Sequence, residues 1–174
     1  MHTRRWRKIL LAVAVLIVAS IAFASWYRLH FSMGTAQAFE LNDPRATTRV
    51  LIATQGSEFK DAVVRRVAGK LEARNAYVKV IDVSSLSSVD TAEWDGIVIL
   101  HTWEMRKPPR EVQAFVDRAR GSGRLVVLTT SGAGDFKIDG VDAISSASVV
   151  ADALARADDI LAKLDAVLSS GPTR

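Results

Sequence analysis

The sequence predicts an α/β protein: a doubly wound parallel sheet of about five strands, preceded by one N-terminal transmembrane helix. Three observations lead there. Short apolar, β-branched runs alternate with amphipathic helical stretches, the pattern of a parallel sheet covered on both faces. Those runs carry few polar residues, as strands buried on both sides require. Ahead of them stands an uninterrupted apolar stretch from Ile9 to Trp26.

That stretch reads ILLAVAVLIVASIAFASW, eighteen residues without an ionisable group. As a helix it spans about 27 Å, close to the thickness of a bilayer core. Trp6 and the Trp26-Tyr27 pair bracket it, where amphipathic rings settle at membrane interfaces. Arg4, Arg5, Arg7 and Lys8 precede it and only Arg28 follows closely, so the positive-inside bias predicts a cytoplasmic amino terminus and an extracytoplasmic carboxyl part, at the inner membrane if the source is bacterial. A cleaved signal peptide is the competing reading, with Ala22-Phe23-Ala24 and Ala36-Gln37-Ala38 as small-x-small sites. The length of the run, above the roughly 7 to 15 residues of a signal core, favours the anchor.

The chain has 174 residues and a formal charge of +4, which invites a nucleic-acid reading. Position removes it. Five of the 23 basic residues and no acid lie in the first thirty positions, so the remainder, with 18 basic and 19 acidic residues, is nearly neutral. The absence of cysteine excludes disulfides, thiolate metal sites and cysteine nucleophiles. The organisation expected is a basic segment over 1–8, an anchor over 9–27, a linker over 28–48 and a folded domain over 49–174.

In the linker, Gly34, Asn42, Pro44 and Thr47-Thr48 break any period. Arg49 to Ala53 (RVLIA) is the first strand. Ser57 is a candidate N-cap for a helix with Phe59, Val63, Val67 and Leu71 on its apolar side and Lys60, Arg65, Arg66, Lys70 and Glu72 around a solvated face. Tyr77 to Val83 is a second strand, at an edge because of Lys79, and Ser84 to Ala92 has no clear period. Gly96 to Leu100 (GIVIL) is a buried third strand. Pro108-Pro109 opens a helix striped by Val112, Phe115, Val116 and Ala119, which Gly121 and Gly123 end. Arg124 to Thr130 is the fourth strand, followed by the glycine-rich loop SGAGDFKIDG. Val141 to Ile144 is a short fifth strand. Val149 to Leu168 is a closing helix with Val150, Leu154, Ile160, Leu161, Leu164 and Leu168 facing inward.

Three strand-end loops carry the functional signal. Thr54-Gln55-Gly56-Ser57-Glu58 follows the first strand and opens the first helix; hydroxyls and amides at a helix amino terminus suit an anion. His101-Thr102-Trp103-Glu104-Met105-Arg106 follows the third strand. Thr130-Ser131-Gly132-Ala133-Gly134-Asp135-Phe136 follows the fourth. Together these loops make Arg49 to Ser170, about seventy per cent of the chain, resemble the flavodoxin family, whose five parallel strands run 2-1-3-4-5 with flavin at their carboxyl ends. The resemblance implies FMN, with Thr54, Gln55, Gly56 and Ser57 at its phosphate, Thr102 and Trp103 against the ring, and Ser131, Gly132, Gly134 and Asp135 along its polar edge. Glu58 stands where the family's turn has its last threonine, and the helix after the fourth strand is missing.

Two functions follow as expectations. One is a membrane-tethered redox module passing electrons to a protein partner. The other is a cofactor-free interaction module of a cell-envelope complex. His101, Ser131 and Asp135 do not form a hydrolytic triad by pattern, since neither Ser131 nor any neighbour lies in a G-x-S-x-G turn. No catalytic residue, metal ligand or nucleic-acid surface is assigned.

Overall fold

The computed structural model describes residues 2–31, 33–103, 107–132, 134 and 141–170, in two units that divide after Met33. The first unit is the helix α1 (His2–Phe31), which contains a stretch, Trp6–Phe23, long and apolar enough to cross a membrane; a signal sequence passes the same test. Every side chain from Trp6 to Phe23 is exposed. The Ser20 hydroxyl donates to the Leu16 carbonyl at 2.8 Å, which satisfies that polar group within the helix.

The second unit is the α/β domain. Its elements are β1 (Phe39–Leu41), β2 (Arg49–Thr54), α2 (Glu58–Glu72), β3 (Tyr77–Asp82), β4 (Gly96–Thr102), α3 (Arg110–Ala119), β5 (Leu125–Thr130), β6 (Asp142–Ser146) and α4 (Ala153–Ser170). The sheet order is β1-β3-β2-β4-β5-β6, with every pairing parallel except β1 to β3. Setting β1 aside, the parallel strands run second, first, third, fourth, fifth in chain order, so the side of the sheet on which successive strands are added switches between β2 and β4. That is the topological switch point of a flavodoxin-like sheet.

The period of two in the strands sorts the core into two layers. Val50, Ile52, Val98, Leu100, Val126 and Leu128 face α2 and α4; Leu51, Ala53, Ile97, Ile99, Leu125 and Val127 face α3 and the segment before β4. Gly96 marks a close approach: a Cβ there would lie 2.5 Å from Leu164 Cδ1, so α4 seats directly on β4. On the other layer, two 3₁₀ segments (Val83–Ser88 and Thr91–Glu93) replace a crossover helix, which explains the missing period over Ser84 to Ala92. Arg118 of α3 fastens that segment by donating to the Leu86 and Val89 carbonyls.

Four expectations need correction. The stretch read as linker contains the end of α1 and the strand β1, and the folded unit takes in residues from Gly34. Lys79 does not mark an edge. β1 covers that side, and Lys79 Nζ meets Glu40 Oε1 at 2.9 Å across the ladder, a hydrogen bond that holds the Glu40 carboxyl below its ordinary range. In α4 the inward stripe is Ala153, Ala157, Ile160, Leu161 and Leu164, because small alanines allow the helix to lie close to the sheet; Leu154 is exposed, and Val150, also exposed, lies in a 3₁₀ turn (Val150–Asp152) before the helix. The fourth correction concerns Lys60, which is fully buried.

Candidate functional site

The carboxyl ends of β2, β4 and β5 hold an unusual density of buried polar side chains: Thr54, Gln55, Lys60, His101, Thr129, Thr130 and Ser131. Each is placed by strand alternation or helix period. In β4, Ile97 and Ile99 face the α3 layer, so His101 does too; Leu100 faces α2, so the next residue on that side is Thr102. In β5 the same alternation puts Thr129 beside His101 and Thr130 beside Thr102, as the ladder register pairs them.

On the α2 side these hydroxyls meet a lysine. Lys60 lies in the first turn of α2, one turn before Val63 and Val64, and so falls on the buried stripe that continues through Val67, Ala68 and Leu71. Its Nζ lies 2.6 Å from Thr102 Oγ1, which lies 2.7 Å from Thr130 Oγ1, which in turn donates to the His101 carbonyl at 3.3 Å. An ammonium has only protons to give. The Thr102 oxygen therefore accepts from Lys60, its own proton goes to Thr130, and the chain runs one way from the charge to the strand backbone. The signal for Lys60 was present in the sequence: its i+3 and i+4 partners are both core valines.

On the α3 side, His101 is wholly buried, with Nε2 3.0 Å from Thr129 Oγ1. Burial pushes its pKa from 6.5 down to about 4; the Thr102 backbone opposes that shift, and the nearby Lys60 charge adds to it. Its ring is neutral at physiological pH, and Nδ1 has no hydrogen-bond partner among the described residues. A buried polar atom left without a partner is costly, and such atoms concentrate at sites of function.

The loop after β2 is held from both sides. Gln55 N donates to the Leu100 carbonyl at 3.3 Å, and Gln55 Oε1 accepts from Thr102 N at 2.7 Å, which locks the loop to β4 across the switch point. Ser57 caps α2, its Oγ accepting from Lys60 N at 3.2 Å. Glu58 is exposed in the first helical turn, where a carboxylate complements the helix dipole. Gly56 forms a two-bond bridge to Gly34, with Gly56 N to Gly34 O at 2.6 Å and Gly34 N to Gly56 O at 3.1 Å. A Cβ on Gly56 would lie 2.8 Å from the Thr35 carbonyl oxygen, so this close approach is what requires glycine. Ala36 N donates to Asp82 Oδ2 at 2.7 Å, and residues 34–36 thus cross the carboxyl ends of β2 and β3 as a strap. Between strap, β2, β3 and α2 lies a groove of about 320 Å³ lined by Thr35, Phe39, Thr54, Asp61, Val64 and Arg65, among others.

The other two loops converge on the same end. Trp103 N donates to the Thr130 carbonyl at 2.9 Å, which carries the β4–β5 ladder one residue beyond the strands and leaves Trp103 half-buried. Ser131 N donates to the Ser146 carbonyl at 3.2 Å, and Ser131 Oγ accepts from Gly134 N at 2.8 Å. Thr54, Gln55, Thr102, Trp103, Thr130 and Ser131 therefore share one end of the sheet around the switch point. Gly132 is exposed at the tip of the last loop. Asp135 lies outside the described residues, as do Glu104, Met105, Arg106, Ala133 and Phe136.

No protein-family model matches the chain, and no curated protein matches it. Solved structures do. The metal-soaked flavodiiron core from Synechocystis sp. PCC6803 aligns at TM-score 0.52 and 10% identity, over 72% of this chain and 37% of that one. A flavodoxin from the domain Archaea aligns at TM-score 0.48 and 14% identity, over 69% of this chain and 99% of that one. Flavodoxin 2 from Bacillus cereus aligns at TM-score 0.45 and 16% identity, over 67% and 99%. At these identities the likeness concerns fold alone. The domain has a flavodoxin-like fold.

Proposed function

We propose that this chain is a membrane-tethered, extracytoplasmic flavodoxin-like domain that binds FMN at the carboxyl ends of β2, β4 and β5 and exchanges electrons with a protein partner. The observation that carries the reading is the network from Lys60 through Thr102 and Thr130 on one face of the sheet, with His101 Nδ1 unpartnered among the described residues on the other. Burying a cation and several hydroxyls costs stability that an apolar core would not. In open α/β sheets the switch point is where ligands bind. The residues fit the group: Ser57 and the start of α2 for a phosphate, half-buried Trp103 as a flat apolar surface, and exposed Gly132 at the loop tip for a polar ring edge. Glu58, in solvent, does not obstruct an anion. When bound, FMN supplies one- and two-electron transfer. The chain's own residues bind and orient it, and α1 raises the local concentration of the module at a membrane, which suits weak encounters between electron carriers.

The strap favours a second reading. Gly56, in the loop expected at the phosphate, already gives its amide to Gly34, which is what a cofactor-free interaction module would show. Titrating FMN into the full chain in mild detergent and following flavin fluorescence separates the two. Saturable quenching is expected; no binding at tens of micromolar flavin leaves the interaction module. A reporter fused after Arg174 is expected to be active only outside the cytoplasm, and activity only inside would overturn the topology.

A further inference from the structure

We infer that the groove between α2, β3 and the strap binds a small zwitterion with an apolar body, the chemistry of a free apolar amino acid. The inference goes beyond the flavin reading, which draws on the ends of β2, β4 and β5, and does not depend on it.

Three observations support it. First, the cavity is built into the fold. Its outer wall is the strap, tied at one end by the Gly34–Gly56 bridge and at the other by Ala36 N on Asp82 Oδ2. Its volume of about 320 Å³ is that of a small-ligand pocket. Second, its floor and one side are apolar. Val80 of β3 and Val64 of α2 line it from the core. Phe39 stands directly opposite Val80 in the ladder, so its ring lies on the same face of the sheet, and it remains 37% exposed. Third, two opposite charges line the groove without meeting. Asp61 and Arg65 are one helical turn apart, the spacing at which an acid and a base usually pair. Among the described residues neither has an ion pair or a side-chain hydrogen bond, although Arg66 and Arg74 of the same helix reach Asp158 and Asp165 of α4. Asp61 is half-buried, so its carboxylate has lost part of its hydration without gaining a cation. An ammonium at Asp61, a carboxylate at Arg65 and a hydrocarbon body against Val64, Val80 and Phe39 match these walls together. A lone cation or a lone anion would leave one charge unanswered.

The test is calorimetry on the full chain in mild detergent with L-leucine and two analogues that each lack one charge, isoamylamine without the carboxylate and isocaproate without the ammonium. Leucine is expected to bind the wild type at least about 10-fold more tightly than either analogue, the scale of one charge-assisted contact. Asp61→Asn should abolish the advantage of leucine over isocaproate, and Arg65→Gln its advantage over isoamylamine. Phe39→Ala should weaken leucine about 3- to 10-fold by removing the exposed ring. Should a variant not fold, judged by circular dichroism, the three ligands on the wild type decide. No binding of leucine up to about 10 mM overturns the site. Equal binding of leucine and both analogues overturns it too, as does a uniform loss of all three ligands in Asp61→Asn and Arg65→Gln. These results are separate from the flavin titration, whose failure would leave the groove as it is.

Discussion

The amino ends of the strands and their carboxyl ends treat polar groups in opposite ways. At the amino ends, Asp95 and Arg49 close a reciprocal pair, Arg49 N to Asp95 Oδ2 at 2.8 Å and Asp95 N to Arg49 O at 2.9 Å. The Arg49 guanidinium lies 5.0 Å from the Trp94 ring and 5.7 Å from that of Tyr77, two rings stacked at 5.9 Å, yet its side chain keeps about a third of its surface in water. At the carboxyl ends, Lys60 and His101 are wholly enclosed. A cation that keeps about a third of its surface in water and stacks on aromatics stabilises a fold at little cost. One that is fully enclosed costs more, which is why the carboxyl end is proposed as the site.

Four experiments break or sharpen that contrast, measured by denaturant unfolding of the full chain in detergent. Trp94→Ala, which removes the platform under Arg49, is expected to cost about 3 to 5 kcal/mol, the largest effect; a loss below 1 kcal/mol would mean the amino end is not the scaffold. His101 comes next. Its folded pKa near 4 lies below the unfolded 6.5, so its contribution is complete above pH 6.5 and is lost as pH falls toward 4, a decline of roughly 3 kcal/mol. His101→Gln should flatten that slope, and an unchanged pH profile would show that the imidazole is not held neutral. Gly56→Ala pushes a Cβ against the strap and should cost about 1 to 3 kcal/mol; with no loss, the strap is not seated on that loop. Glu40→Gln, on the exposed pair with Lys79, should move the midpoint least, and less still in high salt.

The strap makes a related comparison within the site. The turn after β2 carries the residues expected of a phosphate loop, but two of its amides serve the fold. Sequence reading identified Thr54, Gly56 and Ser57 from their place between a strand and a helix. It did not find Gly34, because nothing in a stretch of mixed composition marks it as the partner of a residue 22 positions later. It likewise assigned Lys60 to the solvated face by residue type, although Val63, Val64, Val67 and Leu71 place that position on the buried stripe. The residue type pointed outward and the period pointed inward, and the period decided.

What the sequence determined by itself was everything local or periodic. The apolar helix, the five short strands and the apolar stripes of α2 and α3 follow from alternation, helical spacing and capping residues, which act within a turn or two of chain; the switch point with its three loops comes from the resemblance to flavodoxins. Only the tertiary structure decided the rest: β1 covering β3, the strap meeting Gly56, and the Lys60, Thr102 and Thr130 chain joining residues up to 70 positions apart. Hydrogen bonds of this kind depend on which strands become neighbours and in what register. The register is set by the packing of the whole sheet, and no segment of the sequence carries it alone.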